Sequence, residues 1–172
     1  ANFDYLKYVF LKNLYNRYYD PDKEINITSG GTQAICASVF ALVHKGDEVI
    51  IPSYVCSGVM SAVKMTGATP ILSDIQDDFS LKGYNMSGEK INNLISKKTK
   101  AIIVPHMFGI PADLESIIKV SGNIPIIEDC AHAIGTKKKN KHAGTFGSTG
   151  CFSFYPTKNI TTIEGGMVIT KS

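Results

Sequence analysis

The chain has 172 residues, of which 44% are hydrophobic and 19% are charged, a composition typical of a globular domain with a single core. Its formal net charge of +3 is too small to indicate a nucleic-acid-binding surface, so we expect no nucleic-acid partner. No apolar run approaches the roughly 18 residues of a membrane span, and residues 1–20 do not read as a signal peptide. We therefore expect neither secretion nor a membrane segment.

The four cysteines, Cys36, Cys56, Cys130 and Cys151, are separated by 20, 74 and 21 positions. This spacing contains no CxxC pair and no zinc-ligand pattern, so we expect no metal site. Thiols that need no partner suit a reducing compartment, and the predicted location is the cytoplasm.

The order of the elements predicts an α/β fold. Apolar residues recur every three or four positions from residue 3 to 19, which is the period of an amphipathic helix that ends before Pro21. Short β-branched runs then alternate with helical stretches, the pattern of a three-layer sandwich with a mostly parallel sheet and helices on both faces. The seven predicted strands cover residues 25–28, 48–51, 69–73, 101–104, 125–128, 150–154 and 167–170, and the other predicted helices cover residues 31–44, 53–65, 87–95 and 112–121.

The end of the chain carries two further expectations. The loop between the last two strands is too short for a crossover helix, so this pair is expected to be antiparallel. Only Lys171 and Ser172 follow the final strand, with no helix to cover the sheet. We therefore expect a truncated chain.

Ligands of open parallel sheets collect at the carboxyl ends of the strands. The turn at residues 28–33 leaves a strand, carries two glycines and opens a helix, so its backbone N–H groups are suited to bind a phosphate. It matches neither the P-loop nor the dinucleotide-binding pattern. The alternative is an ordinary helix start capped by Ser29 or Thr32.

Two other strand ends carry reactive side chains. The apolar strand 125–128 runs directly into acid at Glu128 and Asp129, and a buried carboxylate needs a partner, although it can also simply cap the following turn. Lys158 lies in the loop between the last two strands, where burial would favour the free amine that attacks carbonyl groups. The alternative for Lys158 is an ordinary solvated lysine.

A phosphate cradle, a carboxylate and an amine are what pyridoxal 5′-phosphate requires: a phosphate anchor, a partner for the ring nitrogen and a covalent attachment point. On these residues the chain resembles the DegT/DnrJ/EryC1/StrS family of sugar aminotransferases, which has the aspartate-aminotransferase fold, also called fold type I. The resemblance implies that residues 1–172 form the cofactor-binding large domain and that the C-terminal small domain is absent. The matching segments are residues 29–32, 46–53, 67–70, 100–109, 128–135 and 152–166.

The resemblance also implies roles for individual residues. Lys158 would be the catalytic Schiff-base lysine, and Asp129 would be the catalytic partner of the pyridinium nitrogen. His132 would lie beside the cofactor ring and its phenolic oxygen. Cys56 stands where the family often stacks an aromatic side chain on the ring, with Tyr54 two residues earlier. The phosphate would be bound by Gly31, Thr32, Gln33 and Ser153.

The implied activity is transfer of an amino group from an amino acid, expected to be glutamate, to a nucleotide-linked keto-sugar for amino-sugar and cell-surface polysaccharide biosynthesis. A relative that dehydrates sugars carries His at the lysine position, so Lys158 favours amino transfer. A homodimer is implied, in which the partner subunit completes the site. The alternative is a catalytically inactive truncated domain, and we expect this chain alone to bind the cofactor incompletely and to show no turnover.

Each of two other features has two possible interpretations. His106, at the end of its strand, either faces the cofactor pocket or is a buried histidine with its hydrogen bonds satisfied. The basic run at residues 137–142 either contacts a nucleotide diphosphate or is a solvated loop.

Overall fold

A computed structural model describes residues 19–76 and 80–170, together with Lys12 and Tyr15. Those two residues are helical, whereas Tyr19, at the end of the helix predicted over residues 3–19, is not. The rest of that predicted helix lies outside the described residues. None of the helices in the described ranges combines the length and apolar character that a membrane crossing requires. The strands are β1 (Ile25–Thr28), β2 (Glu48–Pro52), β3 (Thr69–Ser73), β4 (Thr99–Pro105), β5 (Ile126–Asp129), β6 (Lys137–Lys138), β7 (Lys141–His142), β8 (Thr149–Ser153) and β9 (Gly166–Thr170). The α-helices are α1 (Gly31–Leu42), α2 (Ser57–Met65), α3 (Gly88–Asn92) and α4 (Leu114–Ser121), and short 3-10 turns cover Leu81–Tyr84 and Met107–Gly109.

The main sheet has seven strands in the order β1-β9-β8-β5-β4-β2-β3. Strand β9 is antiparallel to both of its neighbours, and the other pairs are parallel. The predicted mostly parallel seven-stranded sheet and its antiparallel last pair are therefore confirmed. The register of β5 sets Asp129 opposite Pro105 of β4 and Cys151 of β8, so this acid lies at the carboxyl end of a central strand.

The core explains why the central strands are apolar at consecutive positions. Val49 and Ile51 pack with α1 and α2 on one face of the sheet, whereas Ile50 between them packs with α3 and α4 on the other face. Ile102 and Ile103 of β4 divide between the two faces in the same way. Because both faces are covered, consecutive residues of these strands are buried, from Val49 to Pro52 in β2 and from Ala101 to Pro105 in β4. The predicted three-layer sandwich is confirmed.

The four helices predicted after β1 are all shorter in the structure. The helix predicted over residues 53–65 begins at Ser57, because the backbone N–H of Ser53 still donates to the carbonyl of Ser73 and extends the ladder beyond β2. The helix predicted over residues 31–44 ends at Leu42, because Val43 takes extended dihedral angles. The helices predicted at 87–95 and 112–121 are likewise shorter, as α3 and α4.

The basic run at residues 137–142 is a β-hairpin rather than a loop. Strands β6 and β7 pair antiparallel, and Lys139 and Asn140 between them have positive φ angles of 48° and 62°, as a tight hairpin turn requires. Lys138 contacts Asp113 at 3.3 Å, and Lys139 contacts Glu115 at 2.6 Å. Two of its four lysines are therefore neutralised within the chain.

Candidate active site

A cleft of about 740 Å³ opens at the carboxyl ends of β2, β4, β5 and β8. It is built from the turns that leave these strands and from the start of α1, as expected for an open parallel sheet. The structure brings all the sequence-predicted site residues to this one cleft: Gly31, Thr32, Gln33, Cys56, Asp129, His132, Ser153 and Lys158.

The start of α1 offers backbone N–H groups to the cleft. Neither Ser29 nor Thr32 caps the helix: the N-cap is Gly30, and no side chain caps it, so the alternative of a side-chain cap is wrong. The first turn of the helix is closed by the hydrogen bond that the N–H of Ala34 donates to the Gly30 carbonyl. The preceding N–H groups have no acceptor within the helix and lie at the positive end of its dipole. The side-chain oxygen Oε1 of Gln33 accepts hydrogen bonds from the backbone N–H and the hydroxyl of Ser29, at 2.6 and 2.9 Å.

Gly31 brings α1 unusually close to the end of β8. A Cβ atom at position 31 would lie 2.7 Å from Cβ of Ser153 and 3.1 Å from its hydroxyl oxygen, so no side chain fits there. Ser153 is buried, and its hydroxyl accepts the N–H of Tyr155 at 3.5 Å. The helix N–H groups and the Ser153 hydroxyl therefore form one small polar cradle of a kind that suits a phosphate.

Asp129 is a buried carboxylate with few hydrogen bonds. Its Oδ1 accepts the N–H of Ala131 at 3.0 Å, so it does cap the following turn, and no other hydrogen bond to its side chain is present within residues 19–76 and 80–170. Burial raises the pKa of Asp129, and the Ala131 N–H and the charges of His132, His106 and Lys158 act in the opposite direction. A cationic N–H in the cleft would supply the missing partner.

Lys158 and His132 act on the same part of the cleft. Lys158 is half-buried, and its backbone N–H donates to the Tyr155 carbonyl at 2.9 Å, which closes a turn after β8. The Lys158 charge lowers the pKa of Asp129. Burial lowers the pKa of His132, and the Lys158 charge lowers it further while Asp129 opposes the shift, so the neutral imidazole is favoured at pH 7. Lysine, imidazole and carboxylate thus influence one another electrostatically.

Glu128, next to Asp129, points to the opposite face of the sheet and is fully satisfied. Its two oxygens accept three backbone N–H groups from residues 144–147 at 2.6 to 2.8 Å, and Oε2 lies 3.0 Å from Nε2 of His106. The other ring nitrogen of His106 accepts the N–H of Ala112 at 3.1 Å. His106 lines the cleft, yet both of its nitrogens are committed, so it is the buried and satisfied histidine of the two interpretations.

Donor atoms of His106, Glu128 and Cys130 lie within 4.8 Å of one another, a spacing that a metal ion could bridge. Both His106 nitrogens and both Glu128 oxygens already have hydrogen-bond partners. Burial also raises the pKa of Cys130 well above its usual value, which favours the neutral thiol. This cluster therefore reads as part of the core.

An exposed aromatic row, defined here as Tyr54, Tyr84 and Phe108, leads to the cleft. The ring centroids of Tyr54 and Tyr84 are 5.1 Å apart, and those of Tyr84 and Phe108 are 5.5 Å apart. The Phe108 ring lies nearly parallel to the His132 ring, with 6.5 Å between the ring centroids and 12° between the ring planes. Sequence reasoning did not select Tyr84 or Phe108, because residues so far apart in the chain carry no local signal of their contact. Cys56 is exposed at the start of α2.

Comparison with known proteins gives a consistent family. The model of the DegT/DnrJ/EryC1/StrS aminotransferase family matches residues 15–172. GDP-perosamine synthase of Escherichia coli O157:H7 is 45% identical over 83% of this chain and 39% of that protein. UDP-N-acetyl-3-dehydro-alpha-D-glucosamine 3-aminotransferase of Acidithiobacillus ferrooxidans is 40% identical over 83% of this chain and 38% of that protein. The solved PLP-form of Spr1654 from Streptococcus pneumoniae has a TM-score of 0.84 and 28% identity, over 96% of this chain and 44% of that chain.

The chain spans about two fifths of the length of the curated relatives that it matches. Over that length its fold is the one solved for aminotransferases, and the family model covers almost all of it. This chain belongs to the DegT/DnrJ/EryC1/StrS aminotransferase family.

Proposed function

We propose that residues 1–172 are the cofactor-binding large domain of a pyridoxal 5′-phosphate-dependent aminotransferase. The observation that carries this proposal is the meeting of the α1 cradle, Asp129 and Lys158 in one cleft. The acceptor would be a nucleotide-linked keto-sugar, because the similar proteins named above act on GDP-linked and UDP-linked sugars. The amino donor would be an amino acid, with glutamate expected.

The residues present fit this cofactor. A cradle of unpaired helix N–H groups beside the Ser153 hydroxyl suits the phosphate, and Asp129 has room for a further donor such as a protonated ring nitrogen. When bound, pyridoxal 5′-phosphate supplies an electron sink for the pair released at the substrate carbon. The chain provides an anchor for the phosphate and a carboxylate for the ring from different strands of a rigid sheet.

Each side chain then has a definite task. The Asp129 carboxylate holds a proton on the ring nitrogen by pairing with it. The Lys158 amine, once free, takes the proton from the substrate carbon and returns it to the neighbouring position, as a general base and then a general acid. The neutral His132 imidazole donates or accepts one hydrogen bond beside the ring. Cys56 would offer a thiol to the ring where an aromatic side chain is common in the family, and stacking on that face would be weaker.

We also infer a homodimer in the cytoplasm. The loop that carries Lys158 displays Tyr155, Ile160 and Ile163, which are 48%, 38% and 75% exposed, and a second copy of the protein would cover them. All four cysteines are free, as in a reducing compartment. A catalytically inactive domain remains the second candidate, because the chain spans only about two fifths of its relatives.

Borohydride reduction tests the proposal in the full-length protein. The reagent fixes pyridoxal 5′-phosphate to the lysine that binds it, and peptide mapping should find the label on Lys158. Lys158→Ala should abolish the label, whereas Lys64→Ala, at an exposed position on α2, should leave it unchanged. Label on a different lysine would reject the assignment, and an unlabelled but folded protein would favour the inactive domain.

A further inference from the structure

The turn between β4 and α4 contains a strained phenylalanine. Phe108 has φ 56° and ψ 22°, in the left-handed region that disfavours residues with a side chain, and Gly109 follows with φ 79°. Burial of the ring does not compensate for this strain, because Phe108 is 49% exposed. Such strain persists only where the surroundings fix the backbone, and it concentrates at functional sites.

Asn85 is the side chain that fixes this turn. It is only 1% exposed, its Oδ1 accepts the N–H of Met107 at 3.0 Å, and its Nδ2 donates to the carbonyl of Ile110 at 3.2 Å. One amide thereby clamps the residues on either side of the Phe108–Gly109 pair. The donor and the acceptor are both required, so Asn suits this position better than Asp or Ser.

The clamped turn packs directly on the segment that carries His132. The hydroxyl of Thr136 donates to the Gly109 carbonyl at 2.9 Å, and a Cβ atom at position 109 would lie 3.0 Å from the His132 carbonyl oxygen. The Phe108 ring lies nearly parallel to the imidazole, and the Tyr84 ring meets the Phe108 ring edge-on. Any shift of this turn therefore changes what the His132 ring packs against.

We propose that Asn85 is a positioning residue for the candidate active site. It holds the strained turn so that Phe108 fixes the orientation of the His132 imidazole within the cleft. This inference rests on the proposed function for the role of His132 toward pyridoxal 5′-phosphate. The hydrogen bonds from Asn85 to Met107 and Ile110 are present without the cofactor, as is the near-parallel placement of the Phe108 and His132 rings.

Two measurements on the purified full-length protein test this role. The first is the NMR shift of the His132 ring protons in the cofactor-free protein, which the nearby Phe108 ring displaces. The second is an absorbance titration with pyridoxal 5′-phosphate. Asn85→Ala should move the His132 shifts toward solvent values and weaken binding about tenfold, the loss expected when one hydrogen bond is misaligned. The matched control is Asn93→Ala, at an exposed asparagine after α3, which should change neither.

Phe108→Gly separates positioning from stability. Glycine accepts the left-handed backbone, so this variant should unfold at the same temperature as the wild type or higher, yet bind the cofactor about tenfold more weakly. Phe108→Tyr keeps the ring and should restore both the His132 shifts and the affinity. If Asn85→Ala does not fold, the Phe108 pair of variants decides the question in the same way.

The outcomes separate this proposal from the proposed function. Unchanged His132 shifts and affinity in folded Asn85→Ala, or full affinity in Phe108→Gly, would overturn the positioning role alone. A wild-type protein that binds no pyridoxal 5′-phosphate would overturn the proposed function, and the NMR shifts would still report whether Asn85 orients His132.

Discussion

Gly31→Ala should damage the cradle at the start of α1. The added methyl carbon would lie 2.7 Å from Cβ of Ser153 and 3.3 Å from its Cα, and neither atom belongs to a flexible side-chain end. Ordinary carbon contacts begin near 3.5 Å, so the helix start or the end of β8 must move by about 0.8 Å. Overpacking of this kind costs about 1–3 kcal/mol of stability.

Gly30→Ala is the matched control. A Cβ atom at position 30 meets nothing within 4 Å, and φ is −176°, which any residue adopts. Urea unfolding should therefore show a loss of about 1–3 kcal/mol for Gly31→Ala and less than about 1 kcal/mol for Gly30→Ala. At this chain length the larger loss corresponds to a fall in Tm of several degrees.

The same displacement should weaken phosphate binding. Each hydrogen bond to a charged group is worth about 1.5–3 kcal/mol, so misaligning one at position 31 should cost about one to two decades in affinity for pyridoxal 5′-phosphate. An absorbance titration measures this in the full-length protein. Equal stability and unchanged affinity of Gly31→Ala and the wild type would refute the close packing of α1 against Ser153 and the cradle built on it.

Three further predictions concern buried ionisable groups. Burial raises the pKa of Asp129 in the folded protein, so the ionisation of Asp129 lowers the stability of the cofactor-free protein as pH rises. Asp129→Asn should therefore raise the Tm of the cofactor-free protein at pH 7 and cut transamination by several orders of magnitude, and near-normal turnover would remove Asp129 from the mechanism. Burial raises the pKa of Cys151 to about 12, so the stability that the neutral thiol contributes is complete below pH 9 and is lost as pH rises above 9. Cys151→Ala should therefore remove about 1.4 kcal/mol of the decline in unfolding free energy between pH 8 and 10, and an unchanged dependence of that free energy on pH would contradict this. Glu128→Gln should lower the free energy of unfolding, measured in urea, by about 3 kcal/mol, because an amide NH₂ would face backbone N–H donors. Glu115→Gln at the surface should lower it little, and equal losses of unfolding free energy would contradict the hydrogen-bond network around Glu128.

The sequence predicted the fold because the signals for it are local. Runs of β-branched residues such as 49–51 and 102–104 mark strands that are buried on both faces, and the spacing between them leaves room for helices. The cleft followed from the same logic, since the turns after parallel strands must meet at one edge of the sheet. The resemblance to a family then assigned roles to residues that geometry alone would leave equivalent.

Contacts between distant segments could not be predicted in this way. The pairing of Glu128 with His106 depends on the register of β5 against β4, and that register appears only when the sheet is assembled. The clamp by Asn85 joins residues 85 and 107–110 across a helix and a strand. The start of α2 could not be predicted for a similar reason. The backbone hydrogen bond from the N–H of Ser53 to the carbonyl of Ser73 keeps residue 53 extended, although the local sequence permits a helix.

The two adjacent acids at the end of β5 show how the fold prepares its site. A strand turns successive side chains to opposite faces, so Glu128 and Asp129 meet different surroundings. Glu128 is held by three backbone N–H groups and a histidine, which ties β4, β5 and residues 144–147 together. Asp129 is held by one N–H, and burial disfavours its charge. A cationic ligand that pairs with Asp129 removes this cost, so by linkage its binding must stabilise the fold.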